Sequence, residues 1–306
     1  MKEINYIITN QDQGKELKQI VKHKLYVSSR LLTKLKQANA ILINHIPQYV
    51  NYIVQAGDMV TLDFVKMNEC FPKPAFQSKF KLVDTKLDIL YEDEYLLIVN
   101  KPANLPVHPS AEHYENTLAN QVACYLEKQN IFSIHILTRL DKNTTGICMF
   151  AKHEYIQELF VKKKGKIDLK KYYIAIVDKI LEKDHDMIEK KIARKKDSII
   201  VREVDENGED AKTEYFVLKR NFKKDYTVVK ILLHTGRTHQ IRVHMLSIGH
   251  ILLGDDLYGT ESNISHHMKE IQRQALHAYQ IEFFHPITEQ KIFITAPIPQ
   301  DMQKLI

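Results

Sequence analysis

The sequence predicts an α+β protein: a large domain on a mostly antiparallel mixed sheet with flanking helices, preceded by a small α+β module. Beyond residue 87, strand-like runs outnumber helical ones and do not alternate with them as a doubly wound parallel sheet requires. Residues 1–67 instead place two short basic helices ahead of a small hairpin. Residues 65–86 show no clean periodicity and include Pro72 and Pro74, which sets a linker at 68–86 and the large domain at 87–306. A chain of 306 residues exceeds what one small core needs, so a division into a large and a small domain is natural.

Each element has its own signal. Residues 3–8 alternate polar and apolar like a short strand. From Gly14 to Leu25, Leu17, Ile20 and Val21 fall on one helical face. Ser28 and Ser29 offer N-cap oxygens to a second helix carrying Leu31, Leu32 and Leu35. Residues 40–64 read as short strands, with Gly57-Asp58 opening the last. In the large domain the pattern predicts strands over 89–99, 147–151, 172–177 and 227–233, and helices over 116–128 and 153–164. It adds a hairpin around Asn207-Gly208, a helix starting near Thr238 and a final hairpin over 276–295.

Forty-four Lys and Arg against 38 Asp and Glu give a net charge of +6, a mild tilt towards an anionic partner. The distribution says more. From Lys15 to Lys36 there are seven basic residues and one acid, Glu16, and a second run holds Lys162, Lys163, Lys164, Lys166, Lys170 and Lys171. A solvated lysine face accounts for either run equally well when taken alone. Cys70, Cys124 and Cys148 are far apart and odd in number, which supports neither a disulfide framework nor a cysteine zinc site and fits a reducing compartment. The N-terminus is charged and alternating, unlike a signal peptide. The most apolar stretch, 40–56, is interrupted by Asn44, His45, Pro47 and Asn51, so no membrane span and a cytoplasmic location are expected.

Four segments of the large domain stand out. In H-I-L-T-R-L-D-K-N-T-T-G, residues 135–146, Asp141 precedes small polar residues and Gly; alone, this is most simply a turn. A likeness to the aspartyl-phosphate loop of ion-pumping ATPases fails on residue order and on the lack of membrane-length apolar stretches. In L-H-T-G-R-T-H-Q-I-R-V-H, 233–244, a strand ends at Thr235-Gly236 and Thr238 is the expected helix cap. Arg237 and Arg242 suit a buried carboxylate or a phosphate, because a guanidinium presents a fixed fork of donors. His239 and His244 lack the helical spacing of a zinc pair and read as hydrogen-bonded packing. In I-G-H-I-L-L-G-D-D-L-Y-G, 248–259, the glycine spacing matches no phosphate cradle, and structural turns are the better reading. In K-K-Y-Y-I-A-I-V, 170–177, Tyr173 sits in a strand behind a basic approach and alone is ordinary packing.

In this order the four segments resemble the RluA-type RNA pseudouridine synthases, a family that modifies large-subunit ribosomal RNA and some tRNAs. The resemblance covers nearly the whole chain. Its most specific parts are R-L-D (139–141) with G-I-C-M-F-A-K behind it, T-G-R-T-H-Q-I-R-V-H (235–244) and G-D-D-L-Y-G (254–259). V-N-K-P-A-N-L-P-V-H-P (99–109) and H-P-I-T (285–288) support it. Residues 27–37, 41–44 and 56–60 resemble the small RNA-binding domain first known from a ribosomal small-subunit protein, whose helices present basic side chains to phosphates. That implicates Lys18, Lys22, Arg30 and Lys34. The resemblance makes Asp141 the catalytic aspartate, Tyr173 the ring stacked on the target uracil, and Arg242 the partner of the aspartate, with Arg237 second choice. Arg139, Arg237 and His239 are then expected to meet substrate. Two positions depart from the family: Thr138 stands where His usually precedes R-L-D, and Asn44-His45 where the hairpin tip is usually Asn-Gly.

The reaction so implied breaks the bond from ribose to N1 of uracil and remakes it to C5. A paired uridine must first be flipped out, at a cost of a few kcal/mol that Lys and Arg contacts to phosphate offset. A carboxylate serves as nucleophile or stabilises an electron-poor sugar, a neighbouring Arg keeps it ionised, and an aromatic platform holds the detached base by stacking worth ~1–3 kcal/mol. No redox state changes and no group is donated, so neither cofactor nor metal is expected. The expected partner is structured ribosomal RNA or tRNA, and the expected state a monomer. Two other readings stay open: an RNA-binding protein with an inactive synthase domain, and an N-glycosidase that releases the base. The intact Asp141, Tyr173 and Arg242 set argues against the first, and the lack of a second acid in the Asp141 motif against the other.

Overall fold

The computed structural model describes residues 1–71, 81–109, 115–259 and 271–306; residues 72–80 of the expected linker, with Pro72 and Pro74, lie outside them. β1 (Glu3–Ile7), β2 (Ile41–Ile43), β3 (Ile46–Pro47) and β4 (Met59–Asp63) form a small antiparallel sheet in the order β1-β4-β2-β3. Its hairpin tip carries His45 in place of glycine: Asn44 and His45 both adopt positive φ, 50° and 68°. The Asn44 side chain holds the turn by donating to Asp58 and accepting the Met59 N–H, both at 2.9 Å.

Between β1 and β2 run α1 (Leu17–Gln19), a π-helical turn over Ile20–Lys24, and α2 (Ser29–Gln37). This corrects the single helix expected from Gly14 to Leu25. The amides of Gly14, Leu17 and Lys18 bond the carbonyls of Val54, Tyr52 and Val50, so the stretch before Leu17 is pinned as turns and a bridge instead of a helix. The last turn then widens, with the Leu25 N–H reaching five residues back to Ile20. α2 starts as its sequence predicts, Ser28 Oγ accepting the Leu31 N–H at 3.1 Å. α3 (Phe64–Cys70) follows β4 directly, its cap the Asp63 carboxylate on the Lys66 N–H at 2.9 Å. An irregular stretch was expected there. A helix of seven residues burying only Phe64 and Met67 leaves too little periodicity to detect.

The larger sheet takes β5 (Ile89–Glu92), β6 (Leu96–Lys101), β7 (His135–Ile136), β8 (Thr145–Ala151), β9 (Lys170–Asp178) and β10 (His185–Glu189). β11 (Ile192–Arg194) and β12 (Arg202–Val204) form a separate ribbon, after which β13 (Lys212–Asn221), β14 (Tyr226–Leu233), β15 (Leu276–Phe284) and β16 (Lys291–Thr295) rejoin the sheet. Its order is β10-β13-β14-β9-β15-β8-β6-β5, with β7 on β8 and β16 on β15. Among these pairings β8 with β15 is parallel and the rest antiparallel. The expected Asn207-Gly208 turn forms, but its flanks do not pair with each other. Val204 and Glu209 both pair with Ile192 instead, which turns a hairpin into a small three-way junction.

The parallel contact positions the site. Gly146 lies so close to Ala278 that a Cβ at 146 would collide with the Ala278 carbonyl, and its φ of +104° suits glycine. Ala278 is paired on its other side with Tyr173, so Gly146, Ala278 and Tyr173 lie abreast across three strands.

Helices cover both faces. α4 (Leu118–Glu127) packs Leu118, Val122 and Leu126 with Leu97, Val99, Cys148 and Phe150. α5 (Glu154–Lys162) buries Tyr155, Ile156 and Leu159 in the cluster that holds Leu96, Ile98, Ile147 and Met149. Alternate residues of β6 and β8 thus feed two cores, which is why both strands read as continuous apolar runs. α6 (Lys164–Ile167), α7 (Gln240–Leu246) and α8 (Gln300–Gln303) complete the helices among the described residues. The core of the small sheet is continuous with the larger one, since Leu31, Leu35 and Phe64 belong to the same cluster as α5. Polar contacts reinforce the seam: the Tyr155 hydroxyl donates to Leu25 O at 2.8 Å and Glu158 accepts the Ser28 N–H at 2.8 Å. No helix among the described residues is long and apolar enough to cross a membrane.

Candidate active site

The ends of β7, β9 and β14 surround a cleft of about 830 Å³, within the usual ~300–1,000 Å³ of a small-ligand site. Asp141 lines it from the loop leading into β8. Its carbonyl accepts the Thr144 N–H at 3.1 Å, so the expected turn does form. The carboxylate faces elsewhere, with Oδ2 at 3.3 Å from Arg242 Nη1 and Oδ1 at 4.0 Å from His239 Nε2. Two anchors hold this loop. Thr138 Oγ1 accepts the Met149 N–H at 2.9 Å, and its carbonyl accepts the Cys148 thiol at 3.1 Å. On the other side the fully buried Lys101 donates to the carbonyls of Pro102, Leu105 and Lys142 at 2.8, 2.9 and 2.9 Å. Burial pushes its ammonium down to about 8, against the opposing pull of nearby negative charge, Asp141 included.

Arg242, on α7, is the hub. Its Nε and Nη2 bond the two oxygens of Asp255, each at 2.7 Å, which leaves Nη1 to face Asp141. Burial works against its charge, but the hydrogen bonds and charge of Asp255, with Asp141 behind them, more than reverse this. The guanidinium also lies 4.9 Å from the ring centroid of Tyr258. Asp255 is buried and accepts the Leu257 and Tyr258 N–H groups at 3.1 Å. Sequence reasoning took G-D-D-L-Y-G for turns and missed Asp255, Tyr258 and, in V-N-K-P, Lys101. Gly254 does serve a turn, at φ +70° and hard against the carbonyls of Ile271 and Arg273. The sequence signal was the three-residue step from Asp255 to Tyr258, which gains meaning only beside Arg242.

α7 begins at Gln240, with His239 at its cap in a left-handed conformation, not at Thr238. Gln240 causes the shift. Its buried amide accepts the Thr235 hydroxyl and the Arg237 N–H, and donates to Lys212 O and Thr213 Oγ1. The two arginines of the motif therefore part company. Arg237 is exposed and pairs with Glu209 and the Asp210 carbonyl, while Arg242 reaches Asp141. His244 is packing, as expected, bonded to Thr213 Oγ1 and Lys190 O at 2.9 Å.

Tyr173, on β9, is buried beside the cleft; burial, and then the Asp141 charge, push its phenol well above the usual range. Arg139 is exposed at the rim. The basic residues of the small module lie elsewhere. Lys18 and Arg30 are exposed and Lys22 bonds Ser29, but Lys34 pairs with Glu154 of α5. Lys15 and Lys24 are both tied to the buried Asp12. Among the described residues no group of three or more His, Cys, Asp or Glu is placed to hold a metal ion.

A family model described as RNA pseudouridylate synthase matches residues 95–247, half of the chain and the stretch that carries Asp141, Tyr173 and Arg242. The chain belongs to the RNA pseudouridine synthase family. This synthase is 36% identical over 285 residues to the uncharacterized RNA pseudouridine synthase YjbO of Bacillus subtilis, covering 92% of this chain and 95% of that one. It is 36% identical over 259 residues to ribosomal large subunit pseudouridine synthase D of Zymomonas mobilis, covering 79% of each. Human RNA pseudouridylate synthase domain containing 4 shares the fold, with a TM-score of 0.56 at 22% identity over 71% of this chain and 92% of that one. The synthase is an RNA uridine isomerase on the mixed α+β fold that its sequence predicts.

Proposed function

We propose that this synthase isomerises uridine in large-subunit ribosomal RNA, with Asp141 as the reacting carboxylate on a flipped-out nucleotide. The observation that carries this reading is a cleft carboxylate faced by a guanidinium that a second, buried carboxylate holds in place. The choice of RNA rests on the similarity to large-subunit synthases. The C1′–N1 bond breaks while Asp141 holds or stabilises the sugar carbon, the uracil turns against Tyr173, and the C1′–C5 bond forms. One proton leaves C5 and one arrives at N1, so composition is unchanged. Arg139 fills the vacated stack, and residues 1–67 bind RNA through Lys18, Lys22 and Arg30 along the phosphates.

Asp141→Asn tests the centre of this reading. Asn makes the same turn but lacks the charge and the nucleophile. Turnover, measured as tritium release from 5-tritiated uridine in RNA, should fall by several orders of magnitude, with RNA affinity and thermal unfolding unchanged. A folded variant that turns over at near wild-type rate would falsify the mechanism. Mapping pseudouridine in a deletion strain tests the substrate: sites should vanish from large-subunit RNA, and a loss confined to tRNA would overturn the assignment.

A further inference from the structure

His239 lines the cleft on a backbone that histidine seldom adopts, with φ +57°. Its Nδ1 lies 2.9 Å from the Tyr258 hydroxyl, and that hydroxyl oxygen already accepts the Arg202 N–H at 2.9 Å. The hydroxyl uses both of its functions when its proton goes to Nδ1, and this is the tautomer the inference takes. With Nδ1 as acceptor, the neutral ring carries its own proton on Nε2. Nε2 stands 4.0 Å from Asp141 Oδ1, too far for a direct hydrogen bond, and only 12% of the side chain is exposed.

We infer that His239 is a catalytic residue whose Nε2–H donates to a carbonyl oxygen of the target uracil and stabilises the charge that the base gains on leaving ribose. The inference rests on Asp141 being the reacting carboxylate. When the C1′–N1 bond breaks, its electron pair stays with uracil, and the charge spreads from N1 to the oxygens on C2 and C4. A fixed N–H at one of those oxygens binds more tightly as the charge develops, which lowers the barrier. Asp141, an acceptor, cannot do this. A donor aimed at the oxygen on C4 also rejects cytosine, which carries an amino group there.

The imidazole must be neutral for this role, because a cationic ring 4.0 Å away would pair with Asp141. Its surroundings keep it so. Burial holds its pKa below the usual histidine range, with Arg242 and Arg202 helping and Asp141 and Asp255 opposing. Tyr258, its remaining neighbour, is kept neutral by its own burial.

The test compares His239→Ala, His239→Gln and Tyr258→Phe with the wild type and Asp141→Asn. Each is given 5-tritiated RNA under single-turnover conditions across pH, with RNA affinity and thermal unfolding in parallel. His239→Ala should lower the rate constant by roughly 10²–10³-fold with Kd little changed, as for loss of one donor to a developing anion. His239→Gln keeps an N–H but cannot titrate. It should regain roughly tenfold of the lost rate, and the part of the expected wild-type acid-side loss that comes from protonating His239 should be absent. Tyr258→Phe, which frees the ring to change tautomer, should fall between them and keeps the inference testable if His239→Ala does not fold. Thio-substitution at the contacted carbonyl should slow the wild type but not His239→Ala. A wild-type rate in His239→Ala, a loss confined to Kd, or a Gln variant no better than Ala overturns the role of His239. Activity in Asp141→Asn overturns the reading of Asp141 instead, so the two failures are distinguishable.

Discussion

Arg242 meets two carboxylates that differ in burial and in work. Asp255 is sealed and spends both oxygens on the guanidinium, whereas Asp141 keeps its carboxylate partly open to the cleft. Removing the arginine strands one buried negative charge and releases the other, and breaking such a buried pair costs about 3–5 kcal/mol. Arg242→Ala should therefore lose both activity and stability. Asp255→Asn, which keeps shape but not charge, should lower activity while Asp141 itself is untouched. Arg237→Ala removes only an exposed pair with Glu209 and should cost under about 1 kcal/mol with activity within a few-fold of wild type. Tritium release and urea unfolding of the three variants decide the matter. An active Arg242→Ala, or an Arg237→Ala that costs more than Arg242→Ala, would refute the assignment.

At the scale of elements, the basic run from Lys15 to Lys36 divides by partner. Lys15 and Lys24 neutralise Asp12 and Lys34 neutralises Glu154, which leaves Lys18, Lys22, Arg30 and Lys36 without a carboxylate partner among the described residues. Replacing Lys18, Lys22 and Arg30 by Gln should weaken RNA binding and flatten its salt dependence, by about one unit of slope for each phosphate no longer neutralised. Lys34→Gln should loosen the seam with α5 and barely change the slope. An unaltered slope in the triple variant would sink the proposed role of the module. Legibility varied within the same module. α2 was readable because Ser28 and three leucines supply both a cap and a face. α3 was not, since its two buried residues carry no period, and the widened turn after α1 was not, since contacts with residues 50–54 cause it.

Across the whole molecule, burial holds His244 and His277 below the usual histidine range. His277 joins β15 to β8 through Thr145 Oγ1 at 2.9 Å, and burial holds it down to about 4. An unfolded chain gains that proton near pH 6.5, where the folded one refuses it. Stability is therefore complete above about 6.5 and falls as pH drops towards 4, by up to about 3 kcal/mol from this ring. Urea unfolding at pH 7.5 and 5 should show the loss, and His277→Gln should show less of it. Equal pH dependence in the two proteins would exclude His277 as the source.

The sequence by itself determined the α+β class, most of the elements and the segments that line the cleft. Those properties follow from local causes: periodicity sets which face is apolar, and caps and turn residues set where elements end. Only the tertiary structure decided which side chains meet. Residue type and spacing alone do not separate Arg237 from Arg242, which only the family resemblance ranked first; in the fold Gln240 ties down the Thr235–Arg237 loop and α7 carries Arg242 to an aspartate 101 residues away. Asp255 and Lys101 were invisible for the same reason. A buried charge is defined by the partners that desolvate and satisfy it, and those partners come from strands and turns that no local pattern brings together.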